Sequence, residues 1–437
     1  MVKTLKQFTL VWSFLWLSFA LLEAEELWTL EKCLEYAYQN SPLLKSAYQS
    51  VEEAEGQAQA ASAILYPQLF FNTSYTKNSP PPFGGFGGTI PTGRIRPSLI
   101  SAEVYEYALA LNYTFFSWRI KPSLDIASAN LDRTLSDFRQ VKQNLTLQVK
   151  KAYYSLLLAE QLVNISKKAE EVAKDNYETT QKLYKEGKVS HFDVSRTRVR
   201  WVNSQSDLIE VKNNHNLARE GLRTILSLPP QQKLEVAGQL PEETGQIDLQ
   251  EALETAFSKR PELQSLGYLE NLSASTVSLE KAARLPSFAL TYNYSWQGQD
   301  WYSNPDKYYK SWTFLGRISV PIFDGFTAKG KIKAARANLE KVQESKQQLQ
   351  DLINLEVTEA YLTLQAAQER INAQKENIKT AQENLRIATE RYKLGLLSQL
   401  ELKDAELSLI EAETSYSRAL YDYSVGLAAL EKAQGLD

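Results

Sequence analysis

The chain has 437 residues, of which 49 are lysine or arginine and 52 are aspartate or glutamate, giving a net charge of −3. Because the two signs are interspersed, the composition argues against a nucleic-acid-binding surface. One cysteine excludes an intrachain disulfide, and two histidines with that cysteine are too few for a His/Cys metal site. We therefore expect no metal and no other cofactor.

The first 24 residues predict a secretory signal peptide. Two lysines precede an apolar run, and a small residue, Ala24, closes it. An N-terminal membrane anchor is the alternative, but the apolar run is short and is followed by Glu25 and Glu26. We expect cleavage after Ala24. The rest of the chain has no apolar run of about 18 residues that could form a transmembrane helix.

A helical pattern follows this segment and returns in the second half of the chain. Residues 30–44 read LEKCLEYAYQNSPLL and residues 249–263 read LQEALETAFSKRPEL, with leucine, alanine and proline at matching positions. The match continues through later elements, which indicates an internal structural duplication. We assign residues 25–245 to a first repeat and residues 246–437 to a second.

Two short segments with alternating apolar residues come next in each repeat. The four span about residues 67–76, 103–116, 286–297 and 310–323. One side of each is rich in aromatic residues and the other is small and polar, which is the pattern of transmembrane β-strands. A soluble β-sandwich also has alternating strands, but the aromatic residues at the strand ends favour a membrane. We expect the turn-rich loops between paired strands, Lys77–Ser101 and Gly298–Tyr308, on the outer side of the cell.

Long helices complete each repeat. Stretches without proline, rich in alanine, leucine, glutamate, lysine and glutamine, predict helical hairpins over about residues 124–226 and 327–433. Within each hairpin a glycine, Gly187 or Gly395, ends the first helix. Apolar or small residues recur at alternating spacings of three and four, a heptad seam interrupted only at Glu170. Such a seam has to pack against other helices.

Four strands are too few to close a β-barrel. Lipid does not tolerate open sheet edges, because unpaired backbone groups cannot be hydrated there. Several copies of the chain must therefore share one barrel. Two copies would supply eight strands with a filled interior, and three would supply twelve with room for a pore.

With these features the chain resembles the TolC-like outer membrane efflux proteins over essentially its whole length after the signal peptide. The resemblance rests on the order of the repeated L-x3-L-x2-A-x4-P opening, the strand pairs ending in FF and VPIFDGF, and the Y-x2-G turns. It implies an α+β membrane protein that forms a homotrimer. The trimer would have a 12-stranded transmembrane β-barrel, with four strands from each chain, continuous with a long periplasmic α-helical barrel.

The resemblance also implies an activity and partners. The protein would not be an enzyme but the outer-membrane exit duct of a tripartite efflux or type I secretion system. A periplasmic adaptor and an inner-membrane pump of the RND, MFS or ABC type would load it, and solutes would leave passively. Its location would be the lipid of the cell outer membrane, with a periplasmic extension.

Two other functions compete with this one. A periplasmic coiled-coil adaptor or scaffold would also have long hairpins, but it should lack aromatic alternating strands. An outer-membrane enzyme would need a convergent catalytic set, and the scarcity of histidine and cysteine leaves only scattered carboxylates and hydroxyls.

One pair of candidate site residues follows the turn of the second hairpin. Glu401 and Asp404 are three residues apart and share one helical face, which by itself is most simply a solvated surface. The resemblance implies that these acids line a closed periplasmic aperture. Several copies would then form a carboxylate ring that attracts cations and whose members have raised pKa values.

The resemblance further implies a latch that holds this aperture closed. Tyr392 matches a tyrosine that bonds to an acid on the neighbouring hairpin, and Asp193 matches that acid. A seam position explains Tyr392 equally well. The chain has Leu397 where the family example has an arginine, and Arg196 or Arg198 could compensate.

The two hairpin turns are also candidate docking points. Gly187 and Gly395 lie where the helical tip of an adaptor would meet the hairpins. This expectation rests on position alone.

Overall fold

The computed structural model describes residues 27–77, 103–242, 245, 247–298, 308–394 and 396–436. The predicted signal peptide lies outside the described residues. So do Gly395 and most of the two loops predicted between paired strands.

The chain is mostly helical, and its elements follow one another in two similar series. The first series is α1 (Leu30–Asn40), α2 (Pro42–Ser62), β1 (Gln68–Lys77), β2 (Glu103–Ser117), α3 (Ile120–Lys185) and α4 (His191–Leu226). The second is α5 (Leu249–Lys259), α6 (Pro261–Ala282), β3 (Ser287–Gly298), β4 (Tyr309–Ser319), α7 (Thr327–Lys393) and α8 (Gln399–Ala433). Helices α3 and α7 have 66 and 67 residues, so each is about 100 Å long at 1.5 Å per residue.

The chain forms two compact units, and each takes residues from both halves of the sequence. The helical unit contains the described residues up to Tyr48, residues Asp137–Glu262 and the described residues from Leu349 onward. The strand unit contains Gln49–Ser136 and Leu263–Gln348.

The same proline junction joins α1 to α2 and α5 to α6. The residue before each proline, Ser41 or Arg260, leaves the helical conformation with a ψ of 122° or 123°. This is expected because a following proline disfavours the helical region. The backbone N–H of that residue still donates to the carbonyl of Ala37 or Ala256 and so completes the preceding helix. The proline then begins the next helix, where a missing N–H has no cost.

The heptad seam is the least exposed side of the long helices in the helical unit. On α7 the buried seam residues are Ile353, Val357, Leu364, Ala367, Ile371, Ala381 and Ala388. On α3 the one charged seam residue, Glu170, accepts a 2.6 Å hydrogen bond from the indole Nε1 of Trp201 on α4. The indole also stacks on Tyr177, with ring centroids 5.5 Å apart. Trp201 therefore packs beside the seam and hydrogen-bonds to Glu170, the charged residue that interrupts it.

The strands form one antiparallel sheet in the order β1-β2-β3-β4. The central pair, β2 and β3, joins the two halves of the chain. The pairing register shifts between Tyr113 and Phe116, so Phe116 lies opposite Phe288. Without the shift Phe115 would lie there, so a bulge adds one residue to β2.

The last strand is shorter than the sequence predicts. Alternation continues to residue 323, but β4 ends at Ser319. Pro321 explains the difference, since proline has no backbone N–H to donate to a neighbouring strand. The apolar residues after Pro321 therefore lie outside the sheet.

Candidate functional site

Both hairpin turns lead into their second helix through a capping box. At α4 the Ser190 hydroxyl accepts from the backbone N–H of Asp193, and the Asp193 carboxylate accepts from the backbone N–H of Ser190 at 3.0 Å. At α8 Ser398 and Glu401 make the same pair of bonds, with 2.8 Å from the Ser398 N–H to the carboxylate. Each box satisfies donors that a helix start leaves without partners.

This geometry gives Asp193 and Glu401 a local structural role. In both cases two hydrogen bonds to the carboxylate lower its pKa. The larger effect comes from the serine hydroxyl and the smaller one from the serine backbone N–H. Both groups therefore stay ionised at neutral pH. The aperture and latch hypotheses do not include the serines, although the Ser-x-x-acid spacing is a sequence signal of a capping box.

The proposed aperture pair lies on the first turns of α8. Glu401 and Asp404 are both exposed. The Asp404 carbonyl accepts from the Ser408 hydroxyl at 2.7 Å, and its carboxylate is left open to solvent. The chain therefore places two accessible carboxylates three residues apart, just after the turn. The rise in pKa expected from crowding concerns several copies and stays a prediction.

The structure does not join the proposed latch residues within one chain. Tyr392 is half-exposed near the end of α7 and makes no hydrogen bond with any described residue. Asp193 bonds to its own capping serine. Arg196 and Arg198 are exposed, and neither side chain makes a hydrogen bond or an ion pair with a residue in the described ranges. After the hydrogen bonds from Ser190, the Arg196 charge makes a smaller contribution to lowering the pKa of Asp193. A latch between hairpins of different copies stays a prediction.

At the first turn, Gly187 has a φ of 72°, which a side chain would strain, and no neighbouring atom would touch an added Cβ. Glycine is therefore required by the backbone conformation and not by lack of space. Beside it, Lys188 and Glu186 form an exposed ion pair of 2.8 Å. Gly395 lies outside the described residues.

A buried charge pair lies close to the turns, and sequence reasoning misses it. The carboxylate of Glu406 on α8 is 5% exposed and accepts hydrogen bonds from Arg200 on α4 and, at 2.7 Å, from Asn176 on α3. The three residues connect both hairpins of the chain. Their spacing in sequence, 206 residues between Arg200 and Glu406, leaves no local signal that could have identified them.

The sheet presents one continuous apolar face. Its register aligns residues from all four strands into rows, because directly paired residues point to the same side of a sheet. One row is Phe71, Leu109, Tyr294 and Trp312, and the next is Leu69, Leu111, Tyr292 and Phe314. On the opposite side Asn72, Ala108, Ser295 and Ser311 form a small polar row.

The apolar face is open to solvent in a single chain. Phe71 on β1 is 64% exposed and Trp312 on β4 is 67% exposed. Among the described residues, strands β1 and β4 each pair with one neighbour only, so both edges of the sheet carry unpaired backbone groups there. An exposed apolar face of this size with two open edges marks a surface that needs partners.

The described residues hold no cluster of three His, Cys, Asp or Glu side chains placed to bind a metal ion. Across the same residues, no helix combines enough length and hydropathy to cross a bilayer. The single thiol, Cys33, is buried in α1, and burial raises its pKa to about 12, so it is a core group.

Comparison with known proteins gives matches over nearly the whole chain. The sequence model described as "Outer membrane efflux protein" matches residues 33–227 and again residues 252–436. The chain is 23% identical over 411 residues to the alkaline protease secretion protein AprF of Pseudomonas aeruginosa, covering 92% of this chain and 83% of the relative. It is 24% identical over 402 residues to the cation efflux system protein CusC of Escherichia coli strain K12, covering 91% and 84%.

The fold is also similar to solved structures. The Campylobacter jejuni CmeC outer membrane channel superposes with a TM-score of 0.79 at 19% identity, covering 93% of this chain and 85% of that one.

Proposed function

Since this chain belongs to the outer membrane efflux protein family, whose members are transport channels of the outer membrane, we propose that it is the exit duct of a tripartite efflux or type I secretion system. Solutes would pass through it passively from an inner-membrane pump and a periplasmic adaptor to the exterior. The pump would be of the RND, MFS or ABC type. An adaptor or scaffold would have no need of a sheet with a continuous apolar face.

One observation carries this proposal: the four-stranded sheet has an exposed apolar face and two unpaired edges. In lipid the edges must find partners, because water is not available to their backbone groups. Pairing β1 of one copy with β4 of the next closes the sheet into a ring without any new element. Three copies give twelve strands, which leaves room for an aqueous pore. The internal repeats, residues 25–245 and 246–437, would then supply six similar units around the ring.

The proposal is tested on protein extracted from outer membranes with detergent. We expect a particle with the mass of three chains by light scattering, migration on gels that changes on heating, and ion conductance in planar bilayers. A compact particle of one chain without conductance would contradict the duct and the shared barrel.

We place the gate at the hairpin turns, with Glu401 and Asp404 as a carboxylate ring at the periplasmic aperture. The double variant Glu401→Gln/Asp404→Asn removes these charges, so we expect lower cation selectivity in planar bilayers. Glutamine at position 401 preserves the capping box. Ser398→Ala is the matched control, because it breaks the same box and keeps both charges. Selectivity unchanged in the double variant, or lost equally in the control, would count against the ring.

The latch proposal concerns Tyr392 and Asp193 on neighbouring hairpins, with Arg196 or Arg198 in place of an arginine at Leu397. Tyr392→Phe removes the hydroxyl and should raise the single-channel conductance by loosening the closed state. Tyr184→Phe is the control, since Tyr184 holds the corresponding position in the first repeat. Equal conductance in both variants would remove Tyr392 from the gate.

The docking proposal assigns the turns at Gly187 and Gly395 to the adaptor. A Cβ at Gly187 meets no neighbouring atom in this chain, although its φ of 72° makes a side chain strain the turn locally. We therefore expect Gly187→Trp to reduce cross-linking to an adaptor and to leave most of the yield of trimer. Gly221 on α4 also has open space around it and serves as the control. Cross-linking that survives Gly187→Trp and Gly395→Trp would exclude the turns as the docking point.

A further inference from the structure

A groove in the strand unit, just after β4, has no role in the duct or in its gate. It encloses about 520 Å³ and lies between the ends of α6 and β4 and the starts of α3 and α7. We call it the basic groove. The lining residues that matter for its chemistry are Arg119, Arg284, Lys331, Ile322, Phe323 and Phe326.

The apolar rim of the basic groove is largely exposed. Ile322 is 97% exposed, Phe323 is 76% exposed and Phe326 is 69% exposed. The two phenyl rings meet edge to face at 5.6 Å. Phe326 has a φ of 66°, an unusual conformation for a bulky residue. The carboxylate of Asp324 accepts from the Ala328 N–H at 2.7 Å and so anchors this turn to α7.

The rim continues the apolar side of β4. Trp312, Phe314, Ile318 and Val320 alternate along that side and are each more than half exposed. Ile322 is the next residue in this alternation. If the side faces lipid, Ile322 and the two phenylalanines stand where the strand leaves the bilayer toward the long helices.

The floor of the basic groove is cationic. The side chains of Arg119, Arg284 and Lys331 come from three separate segments, and none has an ion pair or a hydrogen bond with a described residue. Two carboxylates, Glu280 and Asp324, also line the groove, and Asp324 accepts the Ala328 N–H, so three cations and two carboxylates leave an excess of one positive charge. An excess of unpaired cations beside a large exposed apolar rim is complementary to a molecule with an anionic head and an apolar tail.

We propose that the basic groove binds the headgroup phosphate of an anionic glycerophospholipid from the periplasmic leaflet. The three cations hold the phosphate, and Ile322, Phe323 and Phe326 lie among the acyl chains. This rests on the proposed function, because it requires the apolar side of β4 to face lipid. The bound lipid fixes the depth of the barrel in the membrane at the point where strands change to helices.

The test is native mass spectrometry of the detergent-extracted assembly titrated with phosphatidylglycerol or with phosphatidylcholine. We expect phosphatidylglycerol to be retained in preference. The triple variant Arg119→Gln/Arg284→Gln/Lys331→Gln should bind phosphatidylglycerol on the order of 100-fold more weakly, from roughly fivefold for each basic residue. The control Lys329→Gln/Lys333→Gln/Arg336→Gln removes the same charge from α7 outside the groove and should bind as the unsubstituted protein does.

Several results would overturn the headgroup site. Equal binding by the two triple variants would mean that attraction is non-specific. Unchanged binding after Phe323→Ser/Phe326→Ser, with full displacement by inorganic phosphate, would mean that a soluble anion occupies the groove. If the groove variant formed fewer trimers but bound as many lipids as before, the groove would instead be a contact with a second copy of the chain. The mass of the unsubstituted assembly, read in the same spectrum, tests the proposed duct separately.

Discussion

Glu406 shows how a buried charge can organise the neighbourhood of a hairpin turn. Its carboxylate has both oxygens occupied, one by Arg200 and one by Asn176. Arg200 is 24% exposed, so the ion pair is largely withdrawn from water. Removing one partner of such a pair is costly, because the other charge remains without compensation.

The first prediction concerns this residue. Glu406→Gln keeps the shape of the side chain but leaves the Arg200 charge unpaired, so we expect a loss of about 2 kcal/mol in the free energy of unfolding. Glu411→Gln on the same helix is the control, since Glu411 is exposed. Thermal unfolding followed by circular dichroism measures the difference. Equal melting temperatures for the two variants would show that the Glu406 charge does not stabilise the fold.

The second prediction separates the two roles of Glu401. Ser398→Ala removes the hydroxyl that caps α8 and should cost about 1 kcal/mol of local stability. Glu401→Gln keeps both capping bonds and should cost less. Hydrogen exchange of the amides at the start of α8 reports this directly. If Glu401→Gln accelerated exchange as much as Ser398→Ala, the charge and not the capping geometry would hold the turn.

At the scale of elements, a buried cluster of charges joins the α5–α6 junction to α7 and α8. Arg260, 3% exposed, donates from Nη1 to Glu356 at 2.6 Å and from Nη2 and Nε to Glu262 at 3.2 and 3.3 Å. Lys432 donates to Glu356 at 2.9 Å. Gly435, with a φ of 74°, passes so close that a Cβ there would lie 2.8 Å from the Arg260 backbone. Helices α5, α6, α7 and α8 and the residues that follow α8 thus meet at one arginine.

The third prediction tests this junction. Arg260→Ala leaves two carboxylates with only Lys432 as a counter-charge, and we expect it to lower the free energy of unfolding by on the order of 3 kcal/mol. Arg370→Ala is the control, because Arg370 is 64% exposed and its ion pair with Asp422 is 3.6 Å long. Such surface pairs contribute about 0–1 kcal/mol. Similar unfolding temperatures for both variants would mean that the cluster is not a structural anchor.

The fourth prediction is the pH dependence of the same cluster. Burial tends to raise the pKa of Glu356, but hydrogen bonds from Lys432 and then Arg260 outweigh burial and lower it below its ordinary value of 4.5. A lowered folded pKa gives stability that is present above the unfolded pKa and is lost as the pH falls through the folded pKa. We expect Glu356→Gln to reduce the loss of stability on acidification below about pH 4.5. A melting temperature that falls equally with pH in both proteins would refute this.

At the scale of the whole molecule, the decisive property is that the sheet is incomplete in a single chain. The register aligns the apolar residues of four strands on one side, yet no described element of the strand unit covers that side, and both edges lack partners. In the proposed duct, lipid would solvate the apolar side and further copies would supply partners for the edges. The membrane and the assembly would therefore compensate for two separate features of the same sheet, its exposed apolar side and its unpaired edges.

The fifth prediction uses two neighbours on opposite sides of β4. Phe314→Lys places a charge on the apolar side and should cost about 2–4 kcal/mol if that residue lies near the bilayer midplane. Thr313→Lys places the same charge on the polar side and should be tolerated. The measurement is the fraction of heat-modifiable protein recovered from outer membranes. Equal recovery of both variants would show that the apolar side does not face lipid.

The sequence alone determined the elements and their order, because each depends on residues close together in the chain. Alternation predicted the four strands, and the absence of proline predicted the long helices. The matching prolines Pro42 and Pro261 indicated the duplication, and only the structure showed that each of them joins two helices. The heptad pattern is confirmed in part on α7. Leu364, Ala367, Ile371, Ala381 and Ala388 are buried, while Ala360, Gln374, Ile378, Leu385 and Tyr392 are partly exposed. The division into two repeats, the aperture, the latch and the docking turns stay predictions.

Only the tertiary structure decided what distant residues do together. Periodicity and spacing carry no information about partners that lie a hundred or more residues apart. The pairing of Arg200 with Glu406, the convergence of four helices on Arg260 and the grouping of three cations in the basic groove are therefore invisible in the sequence. The bulge that puts Phe116 opposite Phe288 is also invisible in the sequence, since the register of a strand is set by its neighbour and not by its own pattern.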